Sequence, residues 1–394
     1  MSTEKLYWSD SYLKNFEATI KSVENKEKIS EVILDRTAFY PTSGGQMHDT
    51  GQMDGKEVFH VVERDGEIVH MVRGEFKTGQ KITGNLDWSR RFDFMQQHTG
   101  FHILAQAFLL IAKAETLSSH LGEQVSTIDL GIESISQQVL VEVEELANRI
   151  IYENKEVKAF ICNPQKLKTL NLRKMPEAEE NIRLIDIDGF DLDPCGGTHT
   201  KSTGEVGLVK VLSSEKIRGN LRYEFTAGNR AFTDYARKTE IISQLGSELT
   251  TGQEDFLESI QKIKAELRQS EKQCRAQSEK ILAELSVKMI QDAPNAVDGI
   301  IAKVIDDMDW GQVRKLAFSV LNKSGASVIF AQKNPDVRLL AATKKTDINL
   351  RELVPEITGI INGKGGGKQD FIEIGGTNKD QVDTAIEVTK KFLK

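Results

Sequence analysis

Cysteine is scarce in this chain. Only Cys162, Cys195 and Cys274 occur among 394 residues, which excludes a disulfide framework. Long apolar runs are missing too. The longest, Phe101 to Ala112, is too short to span a bilayer and contains His102. The N-terminus, Met1 to Asp10, lacks the apolar centre of a signal peptide. Nor is there an excess of positive charge: the formal net charge is −7. That argues against a chain coated in basic residues for nucleic acid, although a local basic surface remains compatible with it. The expectation is a cytoplasmic protein with no membrane partner, long enough for two or three domains.

Against this background two short pairs stand out. His98-Thr-Gly-Phe-His102 lies in the apolar run, which reads as a buried helix, and its three-residue gap puts both imidazoles on one helix face. Cys195-Gly-Gly-Thr-His199, preceded by Asp193-Pro194, reads as a tight turn bearing a thiolate and a third imidazole. Together the pairs supply three nitrogens and one sulfur, a set that suits Zn²⁺. Four protein ligands fill a tetrahedron, so a closed structural site is the competing reading. His48, His60, His70 and His120 are scattered and read as structural. A zincin-type peptidase needs Glu directly after its first His; Thr99 stands there.

The spacing of apolar residues predicts an α+β protein. From about Phe16 to Leu86, short alternating strands are separated by the hairpin signals Asp54-Gly55 and Asp65-Gly66. This is an antiparallel β-barrel-like domain, residues 1–88. Residues 89–230 form an α+β unit holding all four proposed ligands. It has a helix over Ser89 to Lys113, strands near Val125 to Leu130, Val157 to Ile161 and Ile182 to Ile187, and a helix over Ser136 to Asn154. Residues 231–292 read as a long helix. Thr251-Gly-Gln-Glu254 resembles a capping box, and neither Gly nor Pro recurs until Pro294. Phe256, Ile260, Ile263, Leu267, Ser270, Cys274 and Ile281 trace an imperfect coiled-coil seam along about 60 Å. Residues 293–394 alternate strands and helices as a compact α/β domain.

Two glycine-rich stretches invite functional readings. In Phe39-Tyr-Pro-Thr-Ser-Gly-Gly-Gln46 the backbone can approach a ligand closely, with Thr42 and Ser43 as hydroxyl donors; an ordinary loop explains the same residues. Gly363-Lys-Gly-Gly-Gly-Lys368 could cradle phosphate or be a flexible loop. It is not a Walker A motif, since Gln369 follows Lys368.

The order of these motifs resembles alanyl-tRNA editing proteins of the AlaX type in their long form, over nearly the whole chain. The resemblance rests on Pro41-Thr-Ser-Gly-Gly-Gln46, on Arg91-Phe-Asp-Phe-Met-Gln-Gln-His98 running into His102, and on Asp193-Pro-Cys-Gly-Gly-Thr-His199. The glycines near residue 365 resemble the domain that ends alanyl-tRNA synthetases and recurs in DHH-type phosphoesterases. A phosphoesterase is disfavoured because the chain has no Asp-His-His sequence. A whole synthetase is disfavoured because the chain starts at the editing-like barrel.

The resemblance implies a trans-editing deacylase acting on tRNA(Ala) mischarged with serine, and also with glycine. Zn²⁺ would be held by His98, His102, Cys195 and His199. Thr42 and Gln46 would be catalytic, and Thr42, Ser43, Gly44, Gly45 and Gln46 would bind the aminoacyl end, with Thr42 reading the serine hydroxyl. Where the family loop often has a third glycine, Ser43 stands here. Lys364, Gly365, Gly366, Gly367 and Lys368 would contact tRNA, and a homodimer would form through the coiled coil and C-terminal domain. The alternative is a non-catalytic tRNA-binding protein with a structural zinc.

Overall fold

The computed structural model describes residues 2–173, 175, 182–293 and 299–394. The chain divides into two compact units, Met1–Leu245 and Gly246–Lys394. Pro294, expected at the start of the last region, lies outside the described residues.

Period-two patterning builds the start of the first unit. Strands β1 (Asn15–Lys26), β2 (Ile29–Leu34), β3 (Gly51–Met53), β4 (Lys56–Arg64), β5 (Glu67–Arg73) and β6 (Lys81–Leu86) pair antiparallel in the order β1-β2-β5-β4-β3-β6, and β6 returns to β1. Alternate side chains such as Val32 and Leu34 turn inward and meet Ile20, Val58, Val61, Ile68 and Val72. At both expected hairpins, Asp54-Gly55 and Asp65-Gly66, the two turn residues have positive φ. That backbone twist matches the twist of the flanking strands.

Helix α1 (Trp88–Ala112) follows, capped by the Asp87 carboxylate accepting from Arg90 N–H. Every residue from Phe94 to Ala105 is buried, so this is a central helix surrounded by protein rather than one with a single apolar face. Around it stand β7 (Thr116–Leu121), β8 (Ser126–Leu130), α2 (Gln137–Tyr152), β9 (Val157–Cys162), β10 (Ile182–Ile187), β11 (Asp191–Pro194), β12 (Val209–Ile217) and β13 (Asn220–Ala227). Strands β12-β13-β8-β7 form one antiparallel sheet and β9-β10-β11 another. Phe94, Leu104, Phe108, Ile128, Val143, Ile150 and Phe225 share one core between helices and sheet.

The expected single helix is broken. Helix α3 (Gly228–Leu249) ends before Thr250, which is left-handed, and α4 (Phe256–Gln291) begins after a 3-10 turn over Gln253–Asp255. The expected capping box does not form, because Asp255 takes the N-cap position and makes no side-chain cap bond. With 36 residues, α4 is about 54 Å long. Ile260, Ile263, Leu267 and Ile281 of the expected seam are 37–59% exposed.

In the second unit, β14 (Ile300–Val304), α5 (Trp310–Ser324), β15 (Ser327–Gln332), β16 (Val337–Ala342), α6 (Val354–Ile360), β17 (Gly363–Lys368), β18 (Phe371–Gly376) and α7 (Val382–Leu393) complete the chain. The sheet runs β14-β15-β16-β18-β17. The end of α4 and α5 pack on one face through Leu282, Leu316 and Phe330, while α6 and α7 pack on the other through Ile357, Ile372 and Ile386. The segment Gly363–Lys368 is thus neither a flexible loop nor a phosphate-cradling turn. It is an edge strand paired antiparallel to β18. A Cβ at Gly365 would lie 2.3 Å from the Glu373 carbonyl oxygen, so the close approach of the two backbones requires glycine there. Among the described residues no helix is long and apolar enough to cross a membrane.

Candidate metal centre and substrate cavity

Four side chains from two separate elements converge in the first unit. His98 and His102 come from consecutive turns of α1, and Cys195 and His199 from the turn after β11. One donor atom from each lies within 4.8 Å of all the others. Cys195 Sγ is 3.3 Å from His98 Nε2 and 3.2 Å from His199 Nε2. Of the two glycines between Cys195 and His199, Gly197 is a structural necessity: a Cβ on it would sit 2.2 Å from His98 Cε1. Arg183 holds this turn from β10, its Nη1 donating to the carbonyls of Cys195 and Gly197 at 2.8 and 2.9 Å. Trp8 Nε1 donates to the Gly196 carbonyl at 3.0 Å.

Each imidazole has a partner on its far side. His98 Nδ1 meets Gln46 Oε1 at 2.7 Å, and His102 Nδ1 meets Asp191 Oδ2 at 2.9 Å. His199 Nδ1 faces Thr99 Oγ1 at 3.5 Å. Such outer partners fix ring orientation and leave Nε2 free for an ion. Thr99, which stands where a peptidase would have its glutamate, also accepts from Thr200 N–H at 3.1 Å. Burial favours the neutral thiol of Cys195, but His98 and His199 beside it hold its pKa well below the usual value. Burial would lower His102, yet Asp191 lifts it to about 9. His199 falls to about 3, chiefly through burial. His102 Nε2 is buried with no hydrogen-bond partner among the described residues. An orphaned imidazole nitrogen beside a thiolate-prone cysteine and two more imidazoles is a donor set fit for a metal ion.

The cluster opens on a cavity of about 600 Å³ lined by Tyr40, Ser43, Gly44, His98, Phe101, His102, Thr116, Leu117, Ser118, Ser119, Arg173, Asp193 and Cys195, among others. The glycine-rich loop therefore does reach the site, and the close docking of Gly45 shows how. Its carbonyl accepts from Leu121 N–H at 2.7 Å, and a Cβ there would collide with the Ser119 carbonyl at 2.6 Å. Gln46 is buried and serves His98 and Thr198 rather than the cavity.

Thr42 is placed differently from the expectation. It is not part of the cavity wall; its hydroxyl lies 3.0 Å from His48 Nδ1 and accepts from His48 N–H at 3.2 Å. The reason is local: a Ser43–Gln46 turn, closed by reciprocal backbone bonds, aims Ser43 and Gly44 at the cavity and leaves Thr42 behind.

Several residues with roles in this site carried no isolated sequence signal. Asp191 and Asp193 sit two apart on β11, so one strand face presents both carboxylates to the cluster. Thr116, Ser118 and Ser119 come from β7, whose position beside the cluster depends on tertiary pairing with the glycine loop.

Comparison with known proteins fits this geometry. Residues 8–90 match the family model of tRNA synthetases class II (A), residues 182–223 that of the threonyl and alanyl tRNA synthetase second additional domain, and residues 297–394 that of the DHHA1 domain. The alanyl-tRNA editing protein AlaX-M of Methanosarcina mazei is 35% identical over 58% of this chain and 98% of its own length. The chain belongs to the AlaX alanyl-tRNA editing proteins. AlaX-L of Pyrococcus horikoshii is 29% identical over 99% of both chains, which makes this a long-form AlaX. An alanine–tRNA ligase from Ignicoccus hospitalis is 30% identical over 93% of this chain, which spans 40% of the ligase.

The residues expected to contact tRNA lie in the second unit. Lys364 and Lys368 stand exposed on edge strand β17. Lys364 is paired across β18 with Gly375, which in turn is paired with Arg338 of β16. Two cations thus flank a bare glycine.

Proposed function

We propose that this protein hydrolyses the ester joining serine, and secondarily glycine, to tRNA(Ala), using one Zn²⁺ held by His98, His102, Cys195 and His199. The observation that carries this reading is the convergence of an N₃S donor set on the floor of a cavity sized for an aminoacyl adenosine. Tetrahedral zinc with ordinary bond lengths spaces its sulfur and nitrogen ligands by about 3.5 Å, close to the separations around Cys195. When bound, zinc would supply Lewis-acid polarisation in the cavity.

The chain's residues do the rest. The glycine loop and β7 hold the aminoacyl end, water adds to the carbonyl carbon, the bond to the ribose oxygen breaks, and that oxygen receives a proton as the amino acid leaves. Tyr40, its hydroxyl pKa raised by burial and by nearby Cys195, stays a neutral donor and steadies the loop by donating to the Ser43 carbonyl at 3.0 Å. Thr116 lines the cavity, and its buried hydroxyl has no hydrogen-bond partner among the described residues, so the serine hydroxyl is its natural complement. Alanine would leave that buried group unpaired, at a cost of about 1–3 kcal/mol.

Affinity for tRNA would come from the second unit, through Lys364, Lys368 and Arg338, with the exposed seam of α4 pairing two chains. The test is deacylation. Purified protein should release serine from seryl-tRNA(Ala) and spare alanyl-tRNA(Ala). Zinc bound without any deacylation would instead favour a tRNA-binding protein with a structural metal.

A further inference from the structure

Arg173 lies between Asp191 and Asp193 in the cavity wall, its Nε 3.5 Å from Asp191 Oδ1 and its Nη2 3.4 Å from His102 Nδ1, and its ion pair with Asp193 is only half used. Arg173 Nη2 donates to Asp193 Oδ2 at 2.5 Å. Each partner keeps a second polar atom, Arg173 Nη1 and Asp193 Oδ1, that is buried and has no hydrogen-bond partner among the described residues. The Arg173 side chain is only 9% exposed, and its guanidinium lies over Phe101 at 5.7 Å. Both residues line the same cavity as His98, His102 and Cys195. Leaving a buried donor and a buried acceptor unsatisfied is costly, so a pair that does so at a cavity wall is built for a ligand bearing the complementary groups.

We propose that Arg173 and Asp193 together grip the α-amino ester group of the substrate. Asp193 Oδ1 accepts from the α-ammonium, and Arg173 Nη1 donates to the ester carbonyl oxygen as it becomes anionic during water attack. This rests on the reading of the protein as an aminoacyl-tRNA deacylase, and it names the residues that recognise what every aminoacyl ester shares. The chemistry matches in size. The ammonium nitrogen and carbonyl oxygen of an α-amino ester lie about 3 Å apart when they face the same way, and Arg173 and Asp193 offer one donor and one acceptor side by side. A free carboxylate alone would attract any cation, and a free guanidinium alone any anion. The joined pair selects a cation and an acceptor on adjacent carbons. Amino-acid choice is then left to the hydroxyl wall of β7, and the carbonyl is fixed for attack regardless of side chain.

The test uses the full-length zinc-loaded protein and two esters of the same tRNA: seryl-tRNA(Ala), and its nitrous-acid product in which the α-ammonium is replaced by hydroxyl. Wild type should favour the amino ester. Asp193→Asn should erase that preference, lowering the amino-to-hydroxy ratio of kcat/KM by about 10- to 100-fold, as for loss of a charged hydrogen bond. Arg173→Met should lower kcat on both esters by about 100-fold or more with KM little changed, and Arg173→Lys should recover part of it.

Metal content, measured on every variant, supplies the structural control. If both variants merely lost zinc and slowed the two esters in proportion, the pair would only hold the Cys195 turn, and the proposal would be wrong. Variants with unchanged kcat and unchanged ester preference, in a wild type that does hydrolyse seryl-tRNA, overturn it while sparing the deacylase reading. A wild type inactive on every aminoacyl-tRNA overturns both.

Discussion

Gln46 of the glycine loop and His98 of α1 are 52 positions apart in the chain and 2.7 Å apart in space, Oε1 to Nδ1. The same carboxamide donates from Nε2 to Thr198 Oγ1 at 2.9 Å, and Oε1 also accepts from Thr198 N–H at 3.2 Å. One buried side chain therefore couples the cavity-facing loop to both halves of the His/Cys cluster. An acceptor at Nδ1 places the imidazole proton there and turns the lone pair of Nε2 toward Cys195.

The first prediction follows from that coupling. Gln46→Met fills the space but removes the acceptor, and loss of such an outer partner typically weakens metal binding by about 10- to 100-fold. Competition with a coloured chelator would measure it. Zinc affinity equal to wild type would mean that Gln46 does not orient His98.

Selectivity should follow the cavity wall rather than the loop tip. Thr116→Val deletes the unpartnered hydroxyl while keeping shape, and should cut the preference for seryl over alanyl ester by on the order of 1–2 kcal/mol. Thr42→Val, whose hydroxyl is engaged by His48, should leave the ratio near wild type. The reverse pattern would return the discriminating role to Thr42.

How much of this is legible in the sequence depends on how local each determinant is. The HxxxH and CxxxH spacings are properties of one helix turn and one tight turn, so the four ligand candidates can be read directly. Asp54-Gly55 and Asp65-Gly66 are likewise local turn chemistry, and their hairpins can be placed. The position of Thr42 is not legible, because a four-residue turn decides which of two neighbouring hydroxyls faces the cavity, and that turn is set by docking of Gly45 against Ser119. The break at Thr250 is marked in the sequence only by the Thr251-Gly252 start signal, since the heptad-like spacing begins after it at Phe256. The strand at Gly363–Lys368 has no side-chain pattern to reveal it; only the close approach of a neighbouring backbone explains its glycines.

A buried ion pair joins the barrel to α1 and should matter for stability. Arg91 and Asp49 are fully buried, linked by Nε to Oδ1 at 3.0 Å, and Arg91 Nη1 also donates to the Ser11 carbonyl at 2.8 Å. Arg91→Met strands a buried carboxylate and should cost about 3–5 kcal/mol. Adding Asp49→Leu in the same chain should recover part of the loss, because both charges are then gone. Urea unfolding of the two variants would measure this; an additive double variant would show that the pair does not act as a unit.

Acid sensitivity should trace in part to His70 in the barrel. It is fully buried, with Nδ1 3.0 Å from the Val32 carbonyl and Nε2 2.8 Å from Thr37 Oγ1, and burial lowers its pKa to about 4. The folded state thus prefers the neutral ring. Its contribution is fully present above the unfolded pKa near 6.5 and is lost as pH falls from there toward 4, on the order of 3 kcal/mol in total. His70→Gln, compared with wild type by urea titration at pH 7, 6 and 5, should be less stable at pH 7 and should lose less stability over that range. Parallel losses in the two proteins would assign the acid sensitivity elsewhere.

The last prediction separates the two units. All residues lining the cavity precede residue 198, and the M. mazei AlaX-M matches 58% of this chain with 98% of its own length. A protein ending at Leu249, which keeps α3 whole, should therefore fold, bind zinc and deacylate seryl-tRNA at high substrate concentration. It should bind tRNA more weakly, because Lys364, Lys368 and Arg338 are gone. Every cation that no longer neutralises a phosphate should flatten the dependence of log affinity on log salt by about 0.7–0.9, so removing three should flatten it by about 2. If α4 pairs two chains, the shortened protein should also sediment as a monomer where the intact one is a dimer. Equal affinity and equal salt slope in the two proteins would show that the second unit holds no tRNA. A shortened protein that binds zinc but no longer deacylates would show that the second unit is needed for the chemistry itself.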